Sequence, residues 1–490
     1  MSLPDHKTKI VATIGPASES PEMLERLIRA GLNIARLNFS HGDFQGHAER
    51  IGCIRAAEKV TGKRVVIMAD LPGPKMRLGK IDPEPIQLRP GDRFTLTSQE
   101  VVGNAQRVSM SFARLPEVVK PGDRLFLNDG LVQLVVERTS GTEVHCKVAV
   151  GGELRSRKGL NLPGINLGIG AFTEHDRSCL EFALENGVDA LSQSFVETAA
   201  DVEAVRSAAK AIGKQPFLIA KIERADALKN FDEILKAADG IMVARGDLGV
   251  EVPIEEMAIL QKQLIAKAGL AGKPVIVATQ MLESMTTSRL PTRAEATDVS
   301  NAILDGTDCL MLSGESAMGK YPEEAVMMLA RIARYTEAHR PPSRISDWKS
   351  YGQQPKPTTA AEAIASVVEH SLQTVPCAAV FVPTHSGMTG RMISRFKPAV
   401  WIIALSRDRA VAQGLAFSYG VHPVELLQDP EIWRDFARQW LAKQELPGAI
   451  AMLVAGPSTG APDANHRIEF LHVDDSRRSS NLRPRDGLTA

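Results

Sequence analysis

The sequence predicts an α/β protein built on a (β/α)8 TIM barrel, with a small antiparallel β-barrel domain inserted in it and a further α/β domain at its C-terminal end. Eight short apolar runs alternate with helical patterns, which is typical of parallel βα units. The alternation is interrupted once, by a long stretch without helical periodicity. It ends at a Pro-rich segment, after which a second α/β pattern begins. These three observations divide the 490 residues into domains.

The barrel prediction depends on eight strand candidates, most of them rich in β-branched residues. They are Lys9–Thr13, Asn33–Phe39, Arg64–Asp70, Ala190–Phe195, Phe217–Glu223, Gly240–Ala244, Pro274–Thr279 and Cys309–Leu312. The helical patterns between them include Glu22–Ala30, Gly46–Lys59, Ala199–Ala211 and Glu255–Ala271. Eight such units fit a closed barrel better than an open sheet, although the pattern alone leaves a doubly wound sheet as an alternative. We therefore assign residues 1–70 and 158–345 to the barrel.

The inserted domain is predicted over residues 71–157. A turn signal, Pro90-Gly91-Asp92-Arg93, recurs as Pro121-Gly122-Asp123-Arg124, and apolar and polar residues alternate around it. This pattern indicates antiparallel β structure. A hinged insertion over one face of the barrel is expected to act as a lid.

The segment 341–358 is rich in Pro, Ser and Gln and is predicted to be a linker. A C-terminal α/β domain is predicted over residues 346–475. Its strand candidates are Ala378–Pro383, Val400–Leu405, Val421–Leu426, Ala449–Val454 and Arg467–Val473. The charged, small-residue tail at 476–490 is predicted to be disordered.

Composition excludes several classes of function. Lys plus Arg and Asp plus Glu both number 58, so the chain carries no charge excess for nucleic acid or an anionic membrane. The five cysteines form no CxxC pair, which favours reduced thiols in the cytosol over disulfides or a zinc site. No apolar run approaches the ~18 residues of a membrane span. We expect a cytoplasmic protein.

Polar side chains recur at the ends of the predicted barrel strands, where barrel enzymes carry out their chemistry. Arg36, Asn38 and Ser40 alternate with apolar residues and so share one face. Other strands end in Asp70, in Lys221-Ile-Glu223, in Ala244-Arg-Gly-Asp247 and in Ala278-Thr279. A single charged strand end needs only solvent to explain it. A group of five strand ends carrying cations, carboxylates and a hydroxyl indicates one site.

These groups suit an anionic, phosphorylated substrate. Glu223 and Asp247 offer the hard oxygen ligands that Mg²⁺ shares with substrate oxygens. Lys221 and Arg36 can offset charge on a transferring phosphoryl group. Gly246 permits close backbone approach, and the amides from Arg245 to Asp247 would open a short helix toward an anion.

The motifs resemble those of the pyruvate kinase family over about residues 7–340. The runs that carry the resemblance are Lys9–Pro16, Ala35–Gly42, Lys221–Glu223, Gly240–Gly249, Ala278–Ser284, Pro291–Glu295 and Met311–Glu315. The resemblance implies transfer of phosphate from phosphoenolpyruvate to ADP, giving pyruvate and ATP, in the last step of glycolysis. It also implies Mg²⁺, with Mn²⁺ as an alternative, and a homotetramer.

The resemblance further implies a role for each matching residue. Lys221 would stabilise the phosphoryl group in transfer, Arg36 would contact phosphate, and Glu223 and Asp247 would bind the metal ion. The substrate carboxylate would be held by Thr279 and by the amides of Ala244, Arg245, Gly246 and Asp247. Thr279 would also lie near the path of the proton to the enolate carbon. The nucleotide side would be bordered by Asn38, His41, Arg77 and Lys158.

One loop departs from the family pattern. Most members need K⁺ and read Asp-Thr-Lys-Gly-Pro-Glu after the third strand, whereas this chain reads Asp70-Leu-Pro-Gly-Pro-Lys75. Leu71 replaces a K⁺-ligating threonine and Lys75 replaces a glutamate, while Asn38, Ser40 and Asp70 remain. The Lys75 ammonium would supply the charge of the K⁺ ion. The alternative is a solvated loop lysine. We predict an enzyme that does not require K⁺.

A possible effector site follows the first strand of the C-terminal domain, where the family binds phosphorylated effectors. Its candidate residues are Thr384, His385, Ser386, Gly387 and Thr389. Their hydroxyls and amides could hold a phosphate, or they could form an ordinary capped strand-to-helix turn. Because the loop 456–465 contains no Arg or Lys, a monophosphate is a better fit than a bisphosphate.

Two other functions remain alternatives. A second type of phosphoenolpyruvate or enolate barrel, such as a mutase or lyase, also uses Mg²⁺ and carboxylates at strand ends, but would not need Arg77 and Lys158 on a lid. An inactive metabolite sensor would act through the C-terminal domain, and retention of Lys221, Glu223 and Asp247 argues against it.

Overall fold

The computed structural model describes residues 3–341 apart from 129 and 166, residues 359–456, and residues 465–474. Three predicted segments therefore fall outside the described residues. These are all but the first residue of the linker at 341–358, most of the loop at 456–465, and the tail at 476–490. None of the helices in the described residues is long and apolar enough to cross a membrane.

The barrel begins with three strands and two helices, numbered here in chain order. They are β1 (Lys9–Thr13), α1 (Pro21–Ala30), β2 (Leu32–Asn38), α2 (Phe44–Thr61) and β3 (Val66–Leu71). Local signals set the ends of α1: the Ser20 side chain caps its start, Pro21 occupies the first turn, and Gly31 ends it at φ 123°. Both β1 and β3 are buried along their whole length, as strands of a two-sided parallel sheet should be.

An inserted β domain with its own apolar core follows β3. Its elements are β4 (Ile86–Leu88), β5 (Arg93–Thr97), β6 (Arg107–Ser109), α3 (Leu115–Val118), β7 (Arg124–Leu127), β8 (Val132–Ser140), β9 (Glu143–Val150), β10 (Gly152–Leu154) and β11 (Leu160–Asn161). They form a six-stranded sheet, β11-β7-β8-β9-β5-β6, and the pair β10-β4. All pairings between these strands are antiparallel except β5–β6, which is parallel. The six-stranded sheet ends in β11, of two residues, and β6, of three residues.

The barrel then continues with five strands. They and their helices are α4 (Glu174–Glu185), β12 (Ala190–Gln193), α5 (Ala199–Ala211), β13 (Phe217–Ile222), α6 (Ala225–Lys229), α7 (Phe231–Ala237), β14 (Gly240–Ala244), α8 (Arg245–Glu251), α9 (Met257–Leu270), β15 (Val275–Ala278), α10 (Arg293–Asp305), β16 (Cys309–Leu312), α11 (Gly314–Ala317) and α12 (Pro322–Ala338). All eight barrel strands pair in parallel and close in the order β1-β16-β15-β14-β13-β12-β3-β2. The predicted closed barrel is confirmed, and the open sheet is excluded.

The C-terminal domain carries a five-stranded sheet of order β19-β18-β17-β20-β21, in which β21 alone runs antiparallel. Its elements are α13 (Ala360–Thr374), β17 (Ala379–Pro383), α14 (Met388–Ser394), β18 (Trp401–Ser406), α15 (Arg409–Leu415), β19 (Val421–Glu425), α16 (Trp433–Lys443), β20 (Ile450–Ala455) and β21 (Arg467–His472). The α/β class predicted for this domain is confirmed.

The C-terminal domain closes the end of the barrel at which the strands begin. Phe417 is fully buried with the residues that fill the barrel interior, among them Val11 and Met242. Its ring stacks on that of Phe217 at the start of β13, with centroids 5.0 Å apart. The floor of the barrel is therefore made by a residue of another domain.

Lys9 lies at the same boundary, and its burial should make stability depend on pH. Its Nζ donates to Val421 O at 2.7 Å and lies 5.2 Å from the centre of the Trp401 ring. Burial lowers the pKa of Lys9 to about 8, and nearby acidic groups, including Glu337, offset only part of that effect. This pKa of about 8 lies below the value of about 10.4 that a lysine has in an unfolded chain.

Between these pH values the unfolded state binds more protons, so Lys9 favours folding increasingly as pH rises. From pH 7.5 to 10.5, we expect the wild type to gain about 2–3 kcal/mol of unfolding free energy relative to Lys9→Met. Urea unfolding of both proteins across this range measures the difference. Parallel pH profiles for the two proteins would contradict the prediction.

Candidate active site

A cavity of about 90 Å³ opens at the C-terminal ends of the barrel strands. Its wall is formed by side chains from seven of the eight strands or the residues that follow them, together with the loop after β3. The residues are Arg36, Asn38, Ser40, Asp70, Pro72, Lys75, Ser194, Phe195, Lys221, Glu223, Met242, Ala244, Asp247, Ala278, Thr279, Met311 and Ser313. Parallel strands bring their carboxyl ends to one rim, which is why residues so distant in sequence meet here.

Lys221 is the central cation of this cavity. Its Nζ donates to Ser194 Oγ at 2.7 Å and lies 3.2 Å from Glu223 Oε2 and 3.5 Å from Asp70 Oδ1. Burial by itself would lower the pKa of Lys221, but the carboxylates of Asp70 and Glu223 together outweigh it and raise the pKa. The two carboxylates therefore favour the charged ammonium form of this side chain.

Glu223 directs one carboxylate oxygen toward Lys221 in the cavity. Its Oε1 accepts the Phe195 N–H at 2.7 Å, whereas Oε2 is buried and has no hydrogen-bond partner among the described residues. Burial raises the pKa of Glu223, Lys221 opposes this, and the charge of Asp247 raises it further. A buried carboxylate oxygen that faces an ammonium but accepts no hydrogen bond, and that lies beside a second carboxylate, can serve as a ligand of a divalent cation.

The described residues contain no group of three metal-ligating His, Cys, Asp or Glu side chains. Two carboxylates are nevertheless enough for Mg²⁺, which commonly takes its remaining ligands from substrate phosphates and water. Glu223 and Asp247 therefore fit an ion that is shared with a phosphorylated substrate.

Arg36 is held in place by Asp70. Its Nε and Nη2 donate to Asp70 Oδ2 at 2.9 and 2.5 Å, and its Nη1 donates to Thr13 Oγ1 at 2.8 Å. Asp70 Oδ1 accepts from Ser192 Oγ at 2.8 Å. Burial would raise the pKa of Asp70, but Lys221 and Arg36 hold it below its usual value. The charge of Asp70 is thus balanced by the protein itself.

Thr279 lies at the cavity in a strained backbone. Its φ is 69° and that of Gln280 is 53°, and a β-branched residue rarely adopts this region. Arg245 clamps the turn by donating from Nη2 to Thr279 O at 2.8 Å, while its Nη1 pairs with Asp298 at 2.7 Å. The Gly246 N–H donates to Thr279 Oγ1 at 2.7 Å. The strain therefore positions a hydroxyl beside the first turn of α8.

Three of the residues predicted to border the nucleotide do not line the cavity. They are His41, Arg77 and Lys158. Burial and then the charges of Arg77 and Lys75 lower the pKa of His41. Arg77 and Lys158 lie on paired segments at the base of the inserted domain, where Leu78 N–H donates to Lys158 O at 2.9 Å.

The residues predicted for the monovalent-cation site separate into two groups. Asn38, Ser40, Asp70 and Lys75 line the cavity, whereas Leu71 is fully buried in the core between strands and helices. Gly73, within the same loop, has φ 64°, and a Cβ there would lie 2.9 Å from the Phe195 ring. The loop that carries Lys75 therefore requires glycine to pass this close to the neighbouring strand end.

The sequence analysis missed the contribution of the fourth barrel strand. Ser192 donates to Asp70, Ser194 accepts from Lys221, and the Phe195 amide donates to Glu223. The signal was present, because Ser192 and Ser194 alternate on one face of a strand in the same way as Arg36 and Asn38 do.

A second cavity, of about 470 Å³, lies at the C-terminal ends of β17 and β18. Of the five predicted effector residues, Thr384 and His385 line it, and Ser386, Gly387 and Thr389 do not. Its walls include Arg407 and Arg409, which the sequence analysis did not consider. Both follow a strand end, so the rule that found the barrel residues would also have found them.

Comparison with known proteins agrees with this arrangement. The sequence model described as "Pyruvate kinase, barrel domain" matches residues 5–326, and that described as "Pyruvate kinase, alpha/beta domain" matches residues 362–465. The chain belongs to the pyruvate kinase family. It is therefore a phosphotransferase of a family that depends on a divalent metal ion.

Individual members of the pyruvate kinase family match over most of the chain. The pyruvate kinase of Thermococcus litoralis is 51% identical over 426 residues, which cover 86% of this chain and 89% of the relative. That of Geobacillus stearothermophilus is 44% identical over 86% of this chain and 71% of the relative. The crystal structure of a pyruvate kinase from Cryptosporidium parvum superposes with a TM-score of 0.88 at 36% identity, covering 96% and 97% of the two chains.

Proposed function

We propose that this protein catalyses Mg²⁺-dependent transfer of the phosphoryl group of phosphoenolpyruvate to ADP, giving pyruvate and ATP. The observation that carries the proposal is the Lys221 ammonium 3.2 Å from Glu223 in a cavity that also holds Asp247 and Arg36. Phosphoryl transfer depends mainly on positioning and on cancellation of charge. A cavity that brings two cations together with a pair of carboxylates suited to a metal ion meets both needs.

In this mechanism the phosphorus–oxygen bond of phosphoenolpyruvate breaks as one forms to a β-phosphate oxygen of ADP. A metal ion held by Glu223 and Asp247 would neutralise phosphate charge when bound. Lys221 stabilises the phosphoryl group in transfer, and Arg36 orients its oxygens. The leaving enolate becomes pyruvate when its carbon takes a proton from a water molecule on the side of Thr279.

The substrate carboxylate is proposed to bind at Thr279 and the first turn of α8. A carboxylate there would take over the Gly246 N–H that now donates to Thr279 Oγ1. A Cβ at Gly246 would lie 3.4 Å from that oxygen, so glycine leaves the space beside this amide open. The backbone amides favour negative charge at this position.

The test is a coupled assay of pyruvate formation from phosphoenolpyruvate, with ADP and Mg²⁺ each omitted in turn. We expect pyruvate only when both are present, with one ATP formed for each pyruvate. Pyruvate formed without ADP would instead favour a lyase or phosphatase.

We further propose that the enzyme does not require K⁺. Asp70 is already balanced by Arg36 and Lys221, and Lys75 lines the same cavity as Asn38 and Ser40. Within the described part of the chain, the Lys75 ammonium forms no ion pair, so its charge is available to a substrate.

We therefore expect the rate in Tris salts to change by less than about twofold when KCl replaces them at an ionic strength of about 0.15 M.

Lys75→Met should lose about 10²-fold in kcat, because it removes a preorganised charge. The variant Lys75→Glu should be active only with added K⁺. A wild-type rate that rises steeply with KCl would refute the proposal.

We propose the cavity of the C-terminal domain as the site of a phosphorylated effector. Arg407 and Arg409 supply the positive charge that the loop 456–465 does not. Arg407 lies 3.6 Å from Asp429 and is half exposed, so it can exchange that partner for a phosphate.

Glucose 6-phosphate and AMP serve as monophosphate probes. We expect at least one to change the rate at subsaturating phosphoenolpyruvate. Arg407→Ala should raise its half-effect concentration about tenfold, the value of one charge-assisted hydrogen bond. Arg434→Ala is the control, since Arg434 pairs with Asp435 outside this cavity. Wild-type rates that neither compound alters would contradict the proposal.

We also carry the family's homotetramer over to this chain. Ile254, Ile259 and Leu290, which lie beside or on barrel helices, are apolar side chains more than half exposed, as an interface would need. Light scattering in solution distinguishes four chains from one.

A further inference from the structure

Arg224 is a buried cation next to the metal-binding strand end. It follows Glu223 directly, immediately precedes α6, and is 2% exposed. Arginine is seldom buried to this degree unless it is paired. The mechanism proposed above does not use it, and it does not line the cavity. Its burial therefore needs another explanation.

The guanidinium connects three separate parts of the chain. Its Nη2 donates to Ile165 O at 3.1 Å, its Nε lies 3.3 Å from Glu197 Oε1, and its Nη1 lies 3.4 Å from Glu251 Oε1. Glu197 belongs to the loop after β12, and its backbone oxygen accepts from Asn230 Nδ2 at 2.9 Å. The planar guanidinium can serve these directions at once, whereas a lysine ammonium is a single point of charge.

Two of these contacts reach elements of the active site. Glu251 is the last residue of α8, the helix whose first turn carries Asp247. Ile165 lies on the segment that returns from β11 of the inserted domain to α4 of the barrel. The Arg224 side chain therefore contacts both the helix that carries Asp247 and the segment at the base of the inserted domain. Its backbone adjoins Glu223, the other carboxylate proposed to bind the metal ion.

The contacts are close but imperfectly aligned. Arg224 Nε and Nη1 and Glu251 Oε1 are buried and have no hydrogen-bond partner among the described residues, although the ion-pair distances are short. These buried groups lie close together without good hydrogen-bond geometry. Small shifts of α8, or of the segment that contains Ile165, would shorten and align the contacts.

Resting on the proposed function, we propose that Arg224 is a positioning residue that sets the spacing of Glu223 and Asp247 and couples it to the return segment of the lid. It acts through Glu251 and through its own backbone and touches neither metal nor substrate. Residues that orient metal ligands from outside typically change metal affinity by about 10–100-fold when they are replaced.

The experiment compares Arg224→Lys with Arg55→Lys. Arg55 is a matched control, because it also bridges two carboxylates, Asp189 and Glu58, and donates to backbone oxygens. It lies at the opposite end of the barrel. Mn²⁺ binding is measured by electron paramagnetic resonance without substrates, so the readout does not depend on turnover.

We expect Arg224→Lys to bind Mn²⁺ at least about tenfold more weakly than wild type, and Arg55→Lys to bind it as wild type does. In the assay, the Mg²⁺ concentration for half-maximal rate should rise similarly, while kcat at saturating Mg²⁺ falls much less. If Arg224→Lys does not fold, Glu251→Gln removes the charge at the other end of the same ion pair and should weaken Mn²⁺ binding in the same direction.

Unchanged Mn²⁺ affinity in a folded Arg224→Lys or Glu251→Gln protein would overturn the inference. So would an equal loss in Arg55→Lys, because the effect would then be general destabilisation. A wild-type protein that binds Mn²⁺ but makes no pyruvate from phosphoenolpyruvate and ADP would overturn the proposed function instead, and the two failures are thus distinguishable.

Discussion

Lys221→Met is expected to lower kcat for phosphoryl transfer by at least about 10³-fold, because it removes the ammonium that meets the developing charge. The same substitution should leave Mn²⁺ affinity at the wild-type value or higher. The Lys221 Nζ lies 3.2 Å from Glu223 and 3.5 Å from Asp70, so its loss makes the cavity more negative. Activity and metal binding should therefore change independently.

Rate and Mn²⁺ binding are measured on the same preparation, with Lys273→Met as the control. Lys273 is also a well-bonded lysine, whose Nζ donates to the backbone oxygens of Leu235, Lys236 and Ala238 away from the cavity. We expect this variant to keep the wild-type kcat. A Lys221→Met protein that retains more than about a tenth of the wild-type rate would remove Lys221 from the proposed role.

Glu223→Gln is expected to raise the Mg²⁺ concentration for half-maximal rate by more than about 10²-fold, beyond the range for residues outside the coordination sphere. The amide keeps the size of the side chain and can still accept the Phe195 N–H, but it carries no charge for the ion. It also leaves the Lys221 ammonium without its nearest carboxylate.

Titration with Mg²⁺ measures this shift, and calorimetry with Mn²⁺ confirms it without turnover. Asp189→Asn is the control, since that carboxylate also accepts a backbone N–H, from Ile67, at the other end of the barrel strands. A Glu223→Gln protein with the wild-type Mg²⁺ requirement would mean that the ion binds elsewhere.

Much of the barrel and of its candidate site could be predicted because the signals are local. The strands Lys9–Thr13, Gly240–Ala244 and Cys309–Leu312 have the predicted limits, since each is an apolar run bounded by polar or helix-forming residues. Parallel strands end on one rim, so polar strand ends predict a shared cavity without knowledge of side-chain geometry. Lys221 and Glu223 were found in this way.

What could not be predicted depends on contacts between distant segments. Ser194 meets Lys221 only because β12 and β13 pair with a particular register, which the pattern of one strand does not reveal. The link from Arg224 to Ile165 requires the path of the inserted domain. Arg407 could have been found by the strand-end rule, but its cavity also needs the order of the C-terminal sheet.

The aromatic plug contributed by Phe417 has a consequence for how the chain can be divided. A fragment that stops after α12 would expose the ring of Phe217 and the apolar interior of the barrel to water at that end. We expect the barrel, when it is expressed alone, to aggregate and to be degraded quickly. The barrel and the C-terminal domain have separate sheets but share this packed boundary, so replacing either domain would also require matching side chains on the other.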